Sequence, residues 1–314
     1  MSVNTKAIIL VNLDSNNKKA GKKWHAIADK VLSKFPLGTK VIEYHIPYDI
    51  KKCLHDQIIQ EKVNCVISAG GDGSAHIILN ELVRLQIDNR FEFTMGFIGL
   101  GSSNDILKPC ETIIEDIRVK IDLSNKIKAD LGVASFIDQF DNPIKRHFLA
   151  NSSIGVGASA NWLFNQENFV IRFLKSRWLN LAITYVTIKS ILNFRNYPIE
   201  MRYHNKKRNL MVSHMSIIKN PCISGNLKFD QEISPNDGKL GLNICENMSK
   251  LELIRVMLDL KKGKFSGKPK RHSFFIKDLQ IKPKSIVPVE FDGEIELIKE
   301  INYTIYPGAI NILQ

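Results

Sequence analysis

The stretch Cys65 to Leu85, CVISAGGDGSAHIILNELVRL, constrains this chain more than any other. An apolar run of strand type passes through Gly70-Gly71-Asp72-Gly73-Ser74 into a segment with Ile78, Leu82 and Leu85 on one helical face. Glycines let the backbone take φ > 0 and approach a ligand with no Cβ in the way. Ser74 reads as an N-cap for a helix beginning near Ala75, whose first free N–H groups make an anion site. The bland alternative is an ordinary strand-to-helix turn. Three glycines in four residues around an acid make phosphate binding the better reading. A carboxylate beside phosphates repels them unless a cation or a proton transfer intervenes. Asp72 therefore points to Mg²⁺, or to a general base acting on a substrate hydroxyl.

The loop has neither the GxxxxGK[ST] spacing of P-loop enzymes nor the GxGxxG of dinucleotide folds. A second loop repeats its logic, because the apolar run Met95 to Leu100 ends in Gly101-Ser102-Ser103-Asn104-Asp105. Two such loops at the carboxyl ends of neighbouring parallel strands line one crevice, where open α/β sheets bind ligands.

Around these loops the first third alternates strand and helix patterns. Strands are expected at Ala7 to Asn12, Val41 to Tyr44, Cys65 to Ala69 and Met95 to Leu100, and helices at Trp24 to Phe35, Tyr48 to Glu61 and from about Ala75. That alternation argues for βαβ units and a mainly parallel sheet. After about Asp122 short strands dominate, separated by turn formers such as Pro235-Asn236-Asp237-Gly238 and Asp292-Gly293. Helices are expected near Trp162 to Phe194 and Leu251 to Lys262.

A length of 314 residues suits two domains, and 44% apolar content supports sizeable cores. Five scattered cysteines read as reduced thiols in a cytosolic setting. Met1 to Val11 lacks the build of a signal peptide, and polar residues interrupt the apolar stretch Trp178 to Phe194, so a soluble protein is expected. The net charge of +12, with Lys261, Lys262, Lys264, Lys268, Lys270 and Arg271 in one short stretch, fits nucleic acid, an anionic membrane or phosphorylated small molecules. A merely solvated basic surface fits equally well.

The ordered motifs resemble the diacylglycerol kinase catalytic-domain superfamily of bacterial lipid kinases, sphingosine kinases and ceramide kinases. Gly70 to Ser74 matches its GGDG[TS], Asn80-Glu81 its Asn-Glu pair, and Gly101 to Asp105 its GTxND loop with Ser102 for threonine. Asp130 to Val133 and Asn151 to Gly155 look like the family's first second-domain strands. Ser234 to Leu240 looks like its P-x-x-DG-x-L turn, and Asp292-Gly293-Glu294 like its DGE.

The resemblance implies an N-terminal three-layer α/β domain over residues 1–125, rejoined by about 300–314, and a C-terminal β-sandwich over 126–299, with a nucleotide cleft between them. It implies ATP and Mg²⁺ as cofactors and a lipid hydroxyl as acceptor. Gly70, Gly71, Gly73 and Ser74 would hold phosphates, with Asn12, Gly101, Ser102, Ser103, Asn104, Asp105 and Glu294 around the nucleotide. Asp72 and Asp292 are the candidate catalytic acids, Asp72 and Asp237 the metal candidates, and Asp130 and Glu81 the substrate candidates. A cytoplasmic protein held peripherally on an anionic membrane is expected, with no nucleic-acid partner; a homodimer is left open. Two departures bear on nucleotide choice. Asn12-Leu13-Asp14-Ser15-Asn16 replaces the family's Asn-Pro-x-Ser-Gly, and no threonine precedes the second helix around His45 to Tyr48.

Each acid has a plainer reading: Asp237-Gly238 and Asp292-Gly293 are ordinary hairpin dipeptides, and His76 is more readily a packing residue than a catalyst. Two further functions remain at this stage. One is an NAD kinase or phosphofructokinase activity, which also uses GGDG loops. The other is non-catalytic nucleotide or nucleic-acid binding, against which stands the lack of aromatic-basic interleaving.

Overall fold

The computed structural model describes residues 5–89, 91–165 and 169–314. The chain divides into two compact units, one running to Ala129 and regaining Gly308–Gln314, the other Asp130–Pro307.

The first unit is built on β1 (Ala7–Asn12), β2 (Lys40–Tyr44), β3 (Cys65–Gly70) and β4 (Thr94–Gly99). β1 pairs in parallel with β2 and β3, and β3 in parallel with β4. Asn311 and Ile312 of the final strand add in parallel beside Thr94 and Met95, and the short strand Ile117–Lys120 pairs antiparallel to β4. β1 and β3 are buried along their whole length, as strands covered on both faces must be. Helix α1 (Ala20–Leu32) turns Trp24, Ile27 and Val31 into this core, and the Trp24 indole donates to Glu43 at 2.8 Å. The helix expected from Tyr48 to Glu61 is shorter: α2 (Ile50–His55), capped by the Asp49 carboxylate, loosens into a π turn over Asp56–Gln60. Helix α3 spans Asp72–Asn89.

The second unit is antiparallel. The long strand Lys206–Ile218 pairs first with Tyr197–Tyr203 and, past an irregularity between Val212 and His214, with Leu240–Glu246 and Asn151–Gly155. A strand that changes partners at a bulge turns a corner between two packed sheets. From Asn151–Gly155 the pairing continues through Val287–Phe291, the strand Glu294–Leu313, and Asp278–Pro283 back to Tyr197–Tyr203. The β-sandwich is thereby closed on itself around a core that includes Phe148, Ile217, Phe291 and Tyr303. The hairpin Val287–Phe291 to Glu294 turns on Asp292 and Gly293, both at positive φ (46° and 102°).

Where one helix was expected near Trp162 to Phe194, the described residues form α4 (Val156–Asn165), α5 (Phe169–Arg177) and α6 (Leu179–Asn193). The last break falls at Trp178, whose ψ of 77° is not helical. Part of that expected helix, 166–168, lies outside the described residues. Helix α7 (Lys250–Leu260) opens with a reciprocal capping box between Ser249 and Glu252.

His214 sits buried at the sandwich corner. The Gly157 N–H donates to its Nδ1 at 3.3 Å, so the ring proton belongs on Nε2, 2.8 Å from the Ser216 hydroxyl. Burial pushes its pKa down to about 4, whereas the unfolded chain titrates near 6.5. Between those values the unfolded state binds the extra proton, so stability is lost as pH falls from about 6.5 towards about 4, by about 1.4 kcal/mol per pH unit. Chemical denaturation at pH 7 and pH 5 should show a loss of roughly 2 kcal/mol from this residue. His214→Gln should remove that part of the pH dependence, and equal pH slopes in the two proteins would contradict the assignment.

Candidate active site

The two glycine loops meet in the first unit. Both the Leu100 and Gly101 N–H groups donate to the Gly70 carbonyl at 3.0 Å, which binds the end of β4 to the end of β3. A Cβ on Gly101 would lie 2.3 Å from the Gly71 Cα, and one on Gly70 would lie 2.7 Å from the Ser74 hydroxyl. Neither position has room for a side chain, so the glycines here answer to close backbone approach.

The helix starts earlier than the sequence suggested. The Gly71 carbonyl accepts from the Ala75 N–H at 3.1 Å, so α3 begins at Asp72 and Ser74 is not its N-cap. Ser74 is buried within the first turn instead, and its hydroxyl accepts from the Asn12 amide at 2.8 Å and lies 3.4 Å from the Ser15 hydroxyl. The Asn12 carbonyl oxygen accepts from the Asp14 N–H at 3.0 Å. Asn12, expected at the nucleotide, is thus the strut that ties the end of β1 to α3.

Asp72 takes a similar place on the other side. Its Oδ1 accepts from the Ile106 N–H at 3.1 Å, so the acid of the first loop fixes the second. Asn104 stands in the left-handed region (φ 52°) and its amide donates to the Gly99 and Gly101 carbonyls at 3.2 Å. The Asn104 Oδ1 is buried with no hydrogen-bond partner in the protein, as an acceptor awaiting a ligand or water would be. Ser102 is exposed and Ser103 half-buried, while the buried Asp105 carboxylate pairs with Lys108 at 2.7 Å. The Gly71, Asp72 and Gly73 positions are half-buried.

Two further residues at the rim escaped the sequence analysis. Tyr44, at the carboxyl end of β2, hydrogen-bonds Ser74, and burial raises its pKa to about 12. Tyr48 stacks on it at 5.0 Å between ring centres and is 40% exposed. Asp14 holds the same strand end, accepting from the Ile46 N–H at 2.7 Å and contacting His45 Nδ1 at 2.9 Å. Those bonds hold its pKa below the usual carboxylate range. Asn16, which replaces the family's glycine, takes the glycine-like φ of 54°. The signal for this corner was only that Asn12 and Tyr44 end neighbouring strands.

Other expected site residues are committed elsewhere. Glu81 is buried against the Arg84 guanidinium, which it binds through both oxygens, rather than presented to a substrate. The Asn80 amide donates to the His76 carbonyl one turn back at 2.9 Å, and His76 is a buried packing residue.

In the second unit, Asp292 is 2% exposed, and its carboxylate accepts from the Leu149, Ala150 and Asn151 N–H groups at 2.8, 2.9 and 2.9 Å. With three backbone donors, this carboxylate organises the turn that leads into Asn151–Gly155. Glu294 is exposed at the start of the returning strand. Asp130 is not open to a lipid head group: it is 3% exposed, accepts from the Gly238 N–H at 2.8 Å and lies 3.1 Å from Lys219 Nζ.

The two metal candidates differ. Mg²⁺ at nucleotide sites is held by one or two carboxylates plus the substrate's phosphates, and Asp72 beside two glycine loops fits that donor set. The Asp237 position does not fit, because Lys219 Nζ already stands 2.5 Å from its Oδ1.

The profile of the diacylglycerol kinase catalytic domain matches residues 6–132, and that of the YegS C-terminal NAD kinase beta sandwich-like domain matches 151–314. The chain is 24% identical over 271 residues to a Staphylococcus haemolyticus protein named, by inference, a lipid kinase, covering 84% of this chain and 81% of that one. A Bacillus subtilis protein named in the same way is 21% identical over 297 residues, covering 91% and 92%. A Bacillus anthracis structure described by inference as a diacylglycerol kinase superposes with a TM-score of 0.71 at 18% identity, covering 98% of this chain and 96% of that one. Yeast NADH kinase shares the fold more distantly, with a TM-score of 0.50 at 10% identity.

Removing the Asp292 carboxylate should be a stability defect first. Asp292→Ala leaves three buried N–H groups unpaired, at a cost of roughly 3 kcal/mol or more, measurable by chemical denaturation. Unchanged stability with lost turnover would instead place it in the chemistry. With both units matched in order, the chain belongs to the diacylglycerol kinase catalytic-domain family, in its YegS-like branch.

Proposed function

We propose that this protein transfers the γ-phosphoryl group of ATP to the hydroxyl of a membrane lipid such as a diacylglycerol or a sphingoid base, with Mg²⁺. The observation that carries this reading is the backbone contact of Gly71 with Gly101, held by Asp72 on the Ile106 N–H. It supports a cradle in which N–H groups from the start of α3 face anionic oxygens. Phosphoryl transfer asks for positioning and charge neutralisation, and little else. Asp72 is the acid to receive the acceptor hydroxyl's proton or to hold the metal, since Asp292 is spent on backbone donors. Mg²⁺, when bound with the nucleotide, neutralises phosphate charge. Asn104 Oδ1 offers an acceptor to the nucleotide, and the exposed face of Tyr48 offers a stacking surface at the same strand ends.

The lipid acceptor is supported by a surface of the second unit. Phe169, Phe173, Trp178 and Leu181 of α5 and α6 are exposed together, at 76%, 43%, 53% and 54%. Trp178 meets the Phe173 ring edge-on and the Arg177 guanidinium lies 5.2 Å from that ring's centre. Aromatic rings beside a cation suit the bilayer interface. Among the described residues no helix is long and apolar enough to cross a membrane. The basic stretch contributes less than its composition suggested. Lys268 and Arg271 pair with Asp259, and Lys270 with Glu252, which leaves Lys261, Lys262 and Lys264 for an anionic surface.

Radiolabelled ATP and Mg²⁺ offered with vesicles of diacylglycerol, with sphingosine, or with NAD should label the lipid extract. Label appearing only in NADP would overturn the reading. Asp72→Asn keeps an acceptor for the Ile106 N–H, so it should retain the wild-type Tm while kcat falls about 10²–10⁴-fold. Undiminished turnover would remove Asp72 from the chemistry.

A further inference from the structure

Lys219 follows the strand Lys206–Ile218, and its backbone is pinned by a hydrogen bond from its N–H to the Ala150 carbonyl at 2.7 Å. The side chain is 1% exposed. A lysine ammonium so far from water is expensive unless oxygen atoms replace its hydration. Here four do. Nζ lies 2.5 Å from Asp237 Oδ1, 2.8 Å from the Ser234 carbonyl, 3.1 Å from the Lys239 carbonyl and 3.1 Å from Asp130 Oδ2.

Those oxygens belong to one small structure. The turn from Ser234 to Lys239 curls around Asp237, whose carboxylate accepts from the Ser234 and Lys239 N–H groups at 3.1 Å. Asp130 clasps the same turn from outside: its N–H donates to the Pro235 carbonyl at 2.7 Å and its Oδ2 accepts from the Gly238 N–H at 2.8 Å. Burial works against the Asp237 charge, but the Lys219 bond and the two N–H groups outweigh it and hold its pKa below the ordinary carboxylate range. Two carboxylates and two inward carbonyls are also the ligand set of a hard divalent cation. One positive charge meets two negative ones.

We infer that the Lys219 ammonium is the resident cation of this turn, a tethered replacement for a divalent metal, so that the second unit is ordered without metal at Asp237. A covalently attached cation cannot dissociate and needs no external concentration. Its removal leaves a doubly negative oxygen nest with the volume of a side-chain terminus to fill. The inference does not depend on the proposed kinase reaction, and its test uses no nucleotide.

Thermal unfolding of the full chain in EDTA, in millimolar MgCl₂ and in millimolar CaCl₂ should give one Tm for the wild type. Lys219→Ala should lose roughly 10 °C in EDTA, by stranding the buried Asp130 and half-buried Asp237 carboxylates. Mg²⁺ or Ca²⁺ should restore at least half of that loss, and calorimetry should show a saturable site. Lys219→Ala combined with Asp237→Asn should lose the restoration. A stable Lys219→Ala indifferent to both ions would overturn the inference. So would a wild-type Tm that falls in EDTA and recovers with metal unless Asp237 is changed.

If Lys219→Ala does not fold, the wild type still decides. With ¹⁵N-lysine, a slowly exchanging ammonium signal should be present, absent in the conservative Lys219→Met, and unmoved by EDTA or Mg²⁺. A signal that Mg²⁺ displaces, or no protected ammonium at all, would overturn the assignment.

Discussion

The Gly71–Gly101 approach is the constraint from which the rest of the first unit follows. Two backbone segments in van der Waals contact leave no volume for a Cβ on Gly101, where one would come within 2.3 Å of the Gly71 Cα. Parallel pairing of β3 with β4 brings the two loops to the same sheet end, and the Gly70 carbonyl fixes their spacing by accepting from both Leu100 and Gly101. The side chains then act as struts. Asn12 braces Ser74 from β1, and Asp72 braces the second loop through Ile106. The proposed cradle, held this way, would be organised before a ligand arrives, and such preorganisation makes fixed donors effective in stabilising charge.

The acids illustrate how one residue type serves opposite ends. Asp292, Asp130 and Asp237 looked like site residues because they sit in family motifs, yet each is occupied in holding backbone. Asp292 gathers three successive N–H groups, and Asp130 and Asp237 frame the Ser234 to Lys239 turn around Lys219. Motifs mark positions that the fold needs as surely as positions that the chemistry needs. Only the hydrogen-bond partners tell them apart. Of the four acids Asp72, Asp130, Asp237 and Asp292, it is Asp72 that combines a place beside the glycine loops with a partial exposure that a ligand can use.

Much of this was legible in the sequence, and for physical reasons. The strands at Ala7, Cys65 and Thr94 announced themselves because strands buried on both faces must be apolar almost along their length, and the glycine loops because close approach excludes every other residue. Short-range chemistry at Ser74 was misread. Its hydroxyl had a choice between capping α3 and answering Asn12, and the partner 62 positions away is invisible to a local pattern. Lys219 was missed for the same reason: it ends an apolar strand run, and its oxygens come from Asp130 and from a turn 15 to 20 residues on. The break at Trp178 went unseen because the helical stripe is apolar on both sides of it.

The central claim is that both glycine loops form a single nucleotide cradle. Hydrogen exchange with and without a non-hydrolysable ATP analogue and Mg²⁺ tests it directly. The account predicts that amides at 71–75 and 102–106 gain protection together, at the same nucleotide concentration, and that Gly101→Ala abolishes both effects. Protection of one loop alone, or of neither while the nucleotide is bound elsewhere, would contradict it.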